Sequence, residues 1–368
     1  MTDAIGTRVE ALDTPAVVVD LDVFDANVAR MTERLGGRVA LRPHLKTAKA
    51  PDVARRLLDA GAVGVCVAKL GEAEVMLGAG VGDVLITTEL VGPAKVARLA
   101  RLVRAHPGRR IAIVVDDAEA ARAVDTALAT ADAGPVDTLL DVNVGQDRTG
   151  VAPDGAVALA ERLRPLGRLR LMGVHGYEGH LQHEREPAER RRRCEASMRA
   201  LDGAVRALRE GGHAIEVVTT GGTGTADVCA EQDVVTEVQP GSFVFMDADY
   251  LDTAGIGYAS SLTVLSTVIS RPAPGLATVD AGLKSLSDDS GPARPLRPPG
   301  WSYHHAGDEH GVLSPGGGAA AAELRIGDTV ALLPSHIDTT VNLHDAIHAH
   351  RRGVVEEVWP ISARGRVR

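Results

Sequence analysis

Aromatic residues make up only 2% of this 368-residue chain, so its core has to be built mainly from Ala, Val and Leu. Cysteine is nearly as scarce. Cys66, Cys194 and Cys229 are far apart and odd in number, which gives neither a disulfide framework nor a cysteine zinc site and fits a reducing cytosol. No window approaches the roughly eighteen uninterrupted apolar residues of a membrane span, and "MTDAIGTRVEALDTP" at the N-terminus lacks a basic segment followed by an apolar one. A soluble, cytoplasmic protein is the expectation. Excess positive charge is absent as well: the formal net charge is −9, which argues against nucleic acid as the main partner. The basic run "ERRRRC" (189–194) reads as a solvated helix face.

What is present is organised. The apolar share of 45% suffices for a large core. β-rich runs alternate with helical segments through the first two thirds: "VALR" (39–42), "VGVCVA" (63–68), "DVLITT" (83–88), "IAIVVD" (111–116), "DTLLDVN" (137–143), "LRLMGVHG" (169–176), "IEVVTT" (215–220) and "VVTEVQ" (234–239). Segments such as "GPAKVARLARLVRA" between them carry apolar residues at helical spacing. This alternation implies a parallel sheet with crossover helices, and eight repeats point to a closed (β/α)8 TIM-type barrel rather than an open doubly wound sheet. After about residue 255 the crossover helices stop, and an antiparallel β domain is expected. Its strands would lie in "LTVLSTVISRPAPGLATVDAG", "TVALLPSHIDTTVNLHD" and "AHRRGVVEEVWPI", with "GPARPLRPPGW" and "SPGGGAAAA" as loops. The expected division is an N-terminal strand within 1–21 joining the β domain, a barrel over 22–250, and the β domain over 251–368.

A barrel enzyme places its active site at the C-terminal ends of the strands. Lys46, with His44, follows the first strand in "RPHLKTAK". Asn143 and Arg148 follow the fifth, His175, Tyr177, His180 and His183 the sixth, and "TTGGTGT" (219–225) the seventh. Thr220, Gly221, Gly222, Thr223 and Gly224 offer backbone amides and hydroxyls at a strand end opening a helix, which suits an anion, although a plain turn has the same composition. A lysine and a phosphate cradle across one mouth suggest pyridoxal 5'-phosphate, with Lys46 binding the aldehyde. Arg42 and Lys49 are expected to lower the pKa of Lys46.

A second cluster is "LLPSHIDTTVNLHD". His336 and Asp338, two apart on an expected strand, would face the same way and could hold a divalent metal or form an exposed hydrogen-bonded pair. Without a thiolate the set favours Mn²⁺, Mg²⁺ or Co²⁺, with Zn²⁺ also admissible. His344 and His348 are further candidates. "GWSYHHAGDEHG" (300–311) gathers His304, His305, Asp308, Glu309 and His310 in an expected loop.

Taken in order, "RPHLKTAK", "DVNVGQDRTGV", "GVHGYEGHLQH", "TTGGTGT" and "PSHIDTTVNLHD" resemble the D-threonine aldolase and D-serine dehydratase family, over about residues 12–360. These are fold-type III pyridoxal phosphate enzymes with an alanine-racemase-like barrel and a β domain. The resemblance implies that Lys46 carries the cofactor, Arg148 lies near its ring, Tyr177 helps hold it, and Gly221, Gly222, Thr223 and Gly224 bind its phosphate. It implies His336 and Asp338 as metal ligands, His183 beside the metal as the base for the substrate β-hydroxyl, and a homodimer. In the dehydratase branch the metal pair is His-x-Cys; Asp338 matches the aldolase branch. The expected activity is retro-aldol cleavage of D-3-hydroxy amino acids, D-threonine giving glycine and acetaldehyde. The alternatives are a dehydratase yielding a 2-oxo acid and ammonia, a racemase, and a non-catalytic cofactor-binding barrel.

Overall fold

All eight strand runs of the first two thirds become strands of one parallel sheet. The computed structural model describes residues 4–253, 255–316 and 321–368. β1 (Ala16–Asp20) and α1 (Leu21–Leu35) come first. The alternating series is then β2 (Ala40–Leu41), α2 (Pro51–Asp59), β3 (Val65–Val67), α3 (Leu70–Gly78), β4 (Asp83–Ile86), α4 (Pro93–Ala105), β5 (Arg110–Val115) and α5 (Ala118–Thr130). It continues with β6 (Val136–Asp141), α6 (Ala156–Leu163), β7 (Leu169–His175), α7 (Pro187–Glu210), β8 (Val217–Thr220), α8 (Ala226–Ala230) and β9 (Glu237–Val238). The chain forms two compact units: one of residues up to Met31, Thr47–Asp52 and Ser242–Gly365, the other of Thr32–Lys46, Val53–Gly241 and Arg366–Arg368.

In the second unit the strand order is β2-β9-β8-β7-β6-β5-β4-β3. The two ends of this series meet just beyond β2. Leu45 N–H donates to Cys66 O at 2.8 Å, and Cys66 N–H donates to Pro43 O at 2.9 Å. The sheet therefore closes as a (β/α)8 barrel. Its strands are buried on both faces, which is why they read as apolar runs; every residue of β6 is buried. The helices cover it with one apolar face each. α5 buries Ala118, Ala121, Val124 and Leu128, and Asp117 caps its start by accepting from Glu119 N and Ala120 N at 2.8 Å. Inside, Cys66, Leu85, Ala112, Val114 and Leu139 pack together, a core of small side chains as the scarcity of aromatics requires.

At the strands' N-terminal ends the barrel carries charge. Arg42, 3% exposed, donates Nε to Glu237 Oε2 at 2.7 Å and Nη1 to Asp83 Oδ1 at 2.6 Å. Arg110 joins Asp83 (3.2 Å) to Asp137 (2.7 Å), and Arg170 caps Asp137. Burial alone would push the Arg42 guanidinium down; its bonds to Glu237 and Asp83 outweigh that and hold it charged. The charge of Arg42 is engaged by two carboxylates at the N-terminal ends of β4 and β9.

The other unit contains the antiparallel sheet. α9 (Ala248–Leu251) leads to β10 (Leu262–Ser270), β11 (Ala277–Val279), β12 (Arg294–Arg297), β13 (Trp301–His305), β14 (Gly311–Pro315), β15 (Thr329–Leu333), α10 (Ile337–Val341), β16 (Ala346–Arg351) and β17 (Val354–Pro360). The order is β13-β14-β11-β10-β1-β16-β17, with β15 pairing β10 and β12. β1 joins this sheet as expected, antiparallel to β10 and parallel to β16. Several of the few aromatics gather here: the Phe24 ring lies 6.0 Å from Phe245 and 5.9 Å from Trp359.

Three expectations fail in this unit. "GPARPLRPPGW" is not all loop, because β12 runs through it as an edge strand that among the described residues pairs with β15, a position where a proline such as Pro295 is tolerated. Residues 301–305 form β13, paired with β14, instead of part of a loop. The segment 329–345 is not one strand: β15 stops at Leu333 and α10 begins at Ile337. In "SPGGGAAAA", Pro315 ends β14 and residues 317–320 lie outside the described residues. Among the described residues no helix is long and apolar enough to cross a membrane.

Replacing Arg42 with Met leaves Asp83 and Glu237 without their buried partner and should cost about 3–5 kcal/mol of barrel stability. Arg191→Met breaks a pair with Glu231 whose side chains are 47% and 41% exposed and should cost less than ~1 kcal/mol. Denaturant unfolding of both variants checks this; similar costs would contradict it.

Candidate active site

The loops beyond the C-terminal ends of β2, β6, β7 and β8 carry the residues singled out in the barrel. Lys46 is half-buried at the closing seam. Its backbone N–H donates to His44 Nδ1 at 3.2 Å, which places the His44 proton on Nε2, facing Thr87 Oγ1 at 2.9 Å. Thr87 Oγ1 in turn donates to Val67 O at 3.2 Å. A chain of hydrogen bonds from the seam strand thus fixes the turn that carries Lys46.

Beyond β6, Asn143 Oδ1 accepts from Gly145 N (2.9 Å) and Asp147 N (3.2 Å), shaping the loop that presents Arg148. The Arg148 guanidinium lies 5.5 Å from the centre of the Tyr177 ring, a cation–π contact joining the loops after β6 and β7. Below this pair sits a group that sequence reasoning missed. Asp141, the last residue of β6, pairs with His175 Nδ1 of β7 at 2.6 Å and accepts from Thr149 Oγ1 at 2.8 Å. Glu89, in the loop after β4, lies against Asp141. Two carboxylates in contact have to share a proton. Burial and the nearby Asp141 push Glu89 up to about 7, while Asp141, despite its burial, is held down at about 2 by His175. The imidazole of His175 therefore donates Nδ1–H to an ionised Asp141. Only the position of Asp141 in a strand end signals this; its partners lie 34 and 52 residues away in sequence.

The glycine loop after β8 is built from beneath. Gly221 takes a φ of 79°, a left-handed conformation open to glycine. A Cβ on Gly222 or Gly224 would collide with Gln182. The loop therefore admits no side chain at these positions, because Gln182 fills that space. Thr220 and Thr223 are buried in the same loop. The helix it opens, α8, has five residues, too short for a helix dipole to carry the case for an anion, and the Gly221, Gly222 and Gly224 N–H groups donate to Glu178, Thr225 and Gln182. His183 follows the short helical turn Gly179–Leu181 and is exposed. Among the described residues, one compact group of three ligand-type side chains occurs, Glu178, Cys194 and Cys229 beneath this loop. The hydrogen bond with Cys194, 3.6 Å away, and then burial push the Cys229 thiol up, and Glu178 is engaged by the loop, so the group does not resemble a site for a hard cation.

In the other unit His336 and Asp338 do not alternate along a strand. His336, with φ −140° and ψ 118°, is the residue before α10, and Asp338 lies in its first turn. The turn is held by Asp247, whose Oδ2 accepts from Ile337 N at 3.0 Å and whose Oδ1 accepts from Tyr250 N at 2.9 Å. His336 Nδ1 is paired with Asp289 Oδ2 at 2.6 Å. Asp289 Oδ1 accepts from Ser287 Oγ and from Thr339 Oγ1 (3.0 Å). An imidazole pinned at Nδ1 by an anchored carboxylate presents Nε2 as a ligand, the arrangement found behind metal-bound histidines. With the Asp338 carboxylate two residues on in sequence, the donor set fits a divalent cation that accepts nitrogen and oxygen. His344 and His348 are directed elsewhere, at Ser285 O (2.8 Å) and Val17 O (3.3 Å). The 300–311 residues divide similarly. His305 meets the Tyr303 hydroxyl at 3.1 Å, and Glu309 pairs with Lys284 at 2.6 Å.

Glu89 keeps its proton in the folded protein up to about pH 7, whereas an unfolded glutamate ionises near ~4.3. Its contribution to stability is complete below the unfolded value and is lost as pH rises towards the folded one. Relative to Glu89→Gln, the unmodified protein should therefore lose stability between pH ~4.3 and 7, read as unfolding midpoints across that window. A constant difference would contradict the shared proton.

Comparison with known proteins agrees with this architecture. The family described as alanine racemase, N-terminal domain, matches residues 19–249, and a serine dehydratase domain family matches residues 261–350. D-threonine aldolase of an Arthrobacter species is 42% identical over 365 residues, 98% of this chain and 95% of the relative. D-threo-3-hydroxyaspartate dehydratase of a Delftia species is 34% identical over 355 residues, 89% of this chain and 92% of the relative. The crystal structure of D-threonine aldolase from Filomicrobium marinum matches with a TM-score of 0.94 at 38% identity, covering 100% of both chains. A closed barrel, an antiparallel sheet domain and similarity along nearly the whole length place the chain in the D-threonine aldolase family of alanine-racemase-fold enzymes.

Proposed function

We propose that this chain is a pyridoxal phosphate- and divalent metal-dependent aldehyde lyase that splits the Cα–Cβ bond of D-3-hydroxy amino acids, converting D-threonine to glycine and acetaldehyde. The observation that carries the reading is His336, pinned through Nδ1 by Asp289 and followed by Asp338, an oxygen donor where a softer site would offer thiolate. A racemase has no use for such a pair.

When bound, the cofactor supplies an electron sink for the carbanion left by bond cleavage. The chain's own residues have separate tasks. Lys46 would bind the cofactor aldehyde through its amine. Thr220, Gly221, Gly222, Thr223 and Gly224 would receive the phosphate, and Arg148, braced on Tyr177, would lie at the ring. His336 and Asp338 would hold Mn²⁺, Mg²⁺ or Co²⁺, with Zn²⁺ also accepted by such donors. His183 would accept the proton of the substrate β-hydroxyl, the step that makes the carbon–carbon bond labile. A homodimer and a cytoplasmic location belong to the same reading.

Product identification with D-threonine, with added Mn²⁺ and after chelation, tests it. Acetaldehyde and glycine, lost on chelation and restored by metal, are expected. 2-Oxobutanoate and ammonia would transfer the chain to the dehydratase branch. In metal titrations of the chelated protein, Asp289→Asn should weaken Mn²⁺ binding by about 10–100-fold. An unchanged affinity would remove the role given to Asp289.

A further inference from the structure

Beneath the glycine loop lies a fully buried carboxylate that none of the assigned roles uses. Glu178, 0% exposed, stands beyond β7 next to Tyr177. Its Oε2 accepts from Thr220 Oγ1 at 2.8 Å and from Gly221 N at 3.3 Å. Its Oε1 accepts from Thr225 Oγ1, from Gln182 Nε2 at 3.3 Å and from the Cys229 thiol at 3.7 Å. One turn on, Gln182 completes the grip. Its Oε1 accepts from Gly224 N at 2.9 Å and its Nε2 donates to Thr225 Oγ1 at 2.8 Å. Thr225 Oγ1 also accepts from Gly222 N at 3.1 Å. The amides of Gly221, Gly222 and Gly224 are thus all turned inward onto this group.

A loop with three glycines in four residues loses more conformational freedom on ordering than any other composition would. If that ordering happened only on binding, its cost would be subtracted from ligand affinity. Here it is met in advance by bonds that the ligand never touches. We propose that Glu178, with Gln182 as its second arm, is a positioning residue that preorganises the 220–225 loop for the cofactor's phosphate. The inference rests on the reading that this loop takes that phosphate. Glu178 acts through the loop and has no part in the chemistry. An amide at position 178 would put a donor where the loop supplies hydroxyl, thiol and N–H donors, and Gln182→Leu would strip the acceptor from Gly224 N–H and the amide donor from Thr225 and Glu178.

Binding of pyridoxal 5'-phosphate and of phosphate-free pyridoxal, followed by absorbance, is compared in the full-length chain and in the Glu178→Gln and Gln182→Leu variants. The unmodified chain should prefer the phosphorylated form, and inorganic phosphate should compete with it. Each variant should lose about tenfold or more in pyridoxal 5'-phosphate affinity, keep its pyridoxal affinity, and retain turnover at saturating cofactor within a few-fold. Variants that bind the phosphorylated form as tightly as the unmodified chain would overturn the role of Glu178 and leave the phosphate reading intact. An unmodified chain without preference for the phosphorylated form would overturn the phosphate reading itself. Hydrogen exchange on the cofactor-free unmodified chain needs no variant. The Gly221, Gly222 and Gly224 amides should already be protected, and protection should change little with inorganic phosphate. Amides that exchange freely until phosphate is added would contradict preorganisation.

Discussion

The barrel depends on how it closes. β2 is only two residues long, and the seam beyond it consists of backbone bonds between residues 43–45 and Cys66. Two strand hydrogen bonds hold little on their own. Arg42, immediately before the seam, ties it to β4 through Asp83 and to β9 through Glu237, with both carboxylates gripped by the same buried guanidinium. Such a group is tolerated because its fork-shaped geometry satisfies both partners at once. Lys46 stands four residues further on, so the ion pairs at one end of the strands help set the position of the turn at the other.

Carboxylates play a second, quieter part. Asp141 orients His175, Asp289 orients His336, Asp247 fixes the turn between them and α10, and Glu178 shapes the glycine loop. None of these four is assigned to substrate. Each is an acceptor-only group placed where several donors converge, which makes a single geometry favourable and leaves the neighbouring residue ready for its task. With few aromatic side chains to lock rotamers by packing, the protein orients its polar residues by hydrogen bonding.

This division explains what could be read along the chain. Parallel strands buried on both faces are apolar runs whatever their neighbours, so all eight barrel strands were legible, and with them the strand-end positions of Lys46, Arg148, Tyr177 and the 219–225 loop. The His336–Asp338 pair was legible as a ligand motif but not in its conformation. Its β-branched surroundings imitate a strand, and the Asp247 carboxylate that starts the helix instead lies about ninety residues earlier. β12 was hidden by its prolines, which only an edge strand accommodates. Glu178, Glu89 and the bonds that neutralise Arg42 were invisible because each is defined by partners brought together by the barrel, not by local spacing.

In the proposed function Lys46 is the amine that would carry the cofactor. The chain has five lysines, Lys46, Lys49, Lys69, Lys95 and Lys284, so the claim is easily resolved. Borohydride reduction of the cofactor-loaded protein, proteolysis and mass spectrometry would locate the pyridoxyl group. A single modified peptide with the group on Lys46 is expected. Modification at Lys49 or Lys69, or none at any lysine, would contradict it.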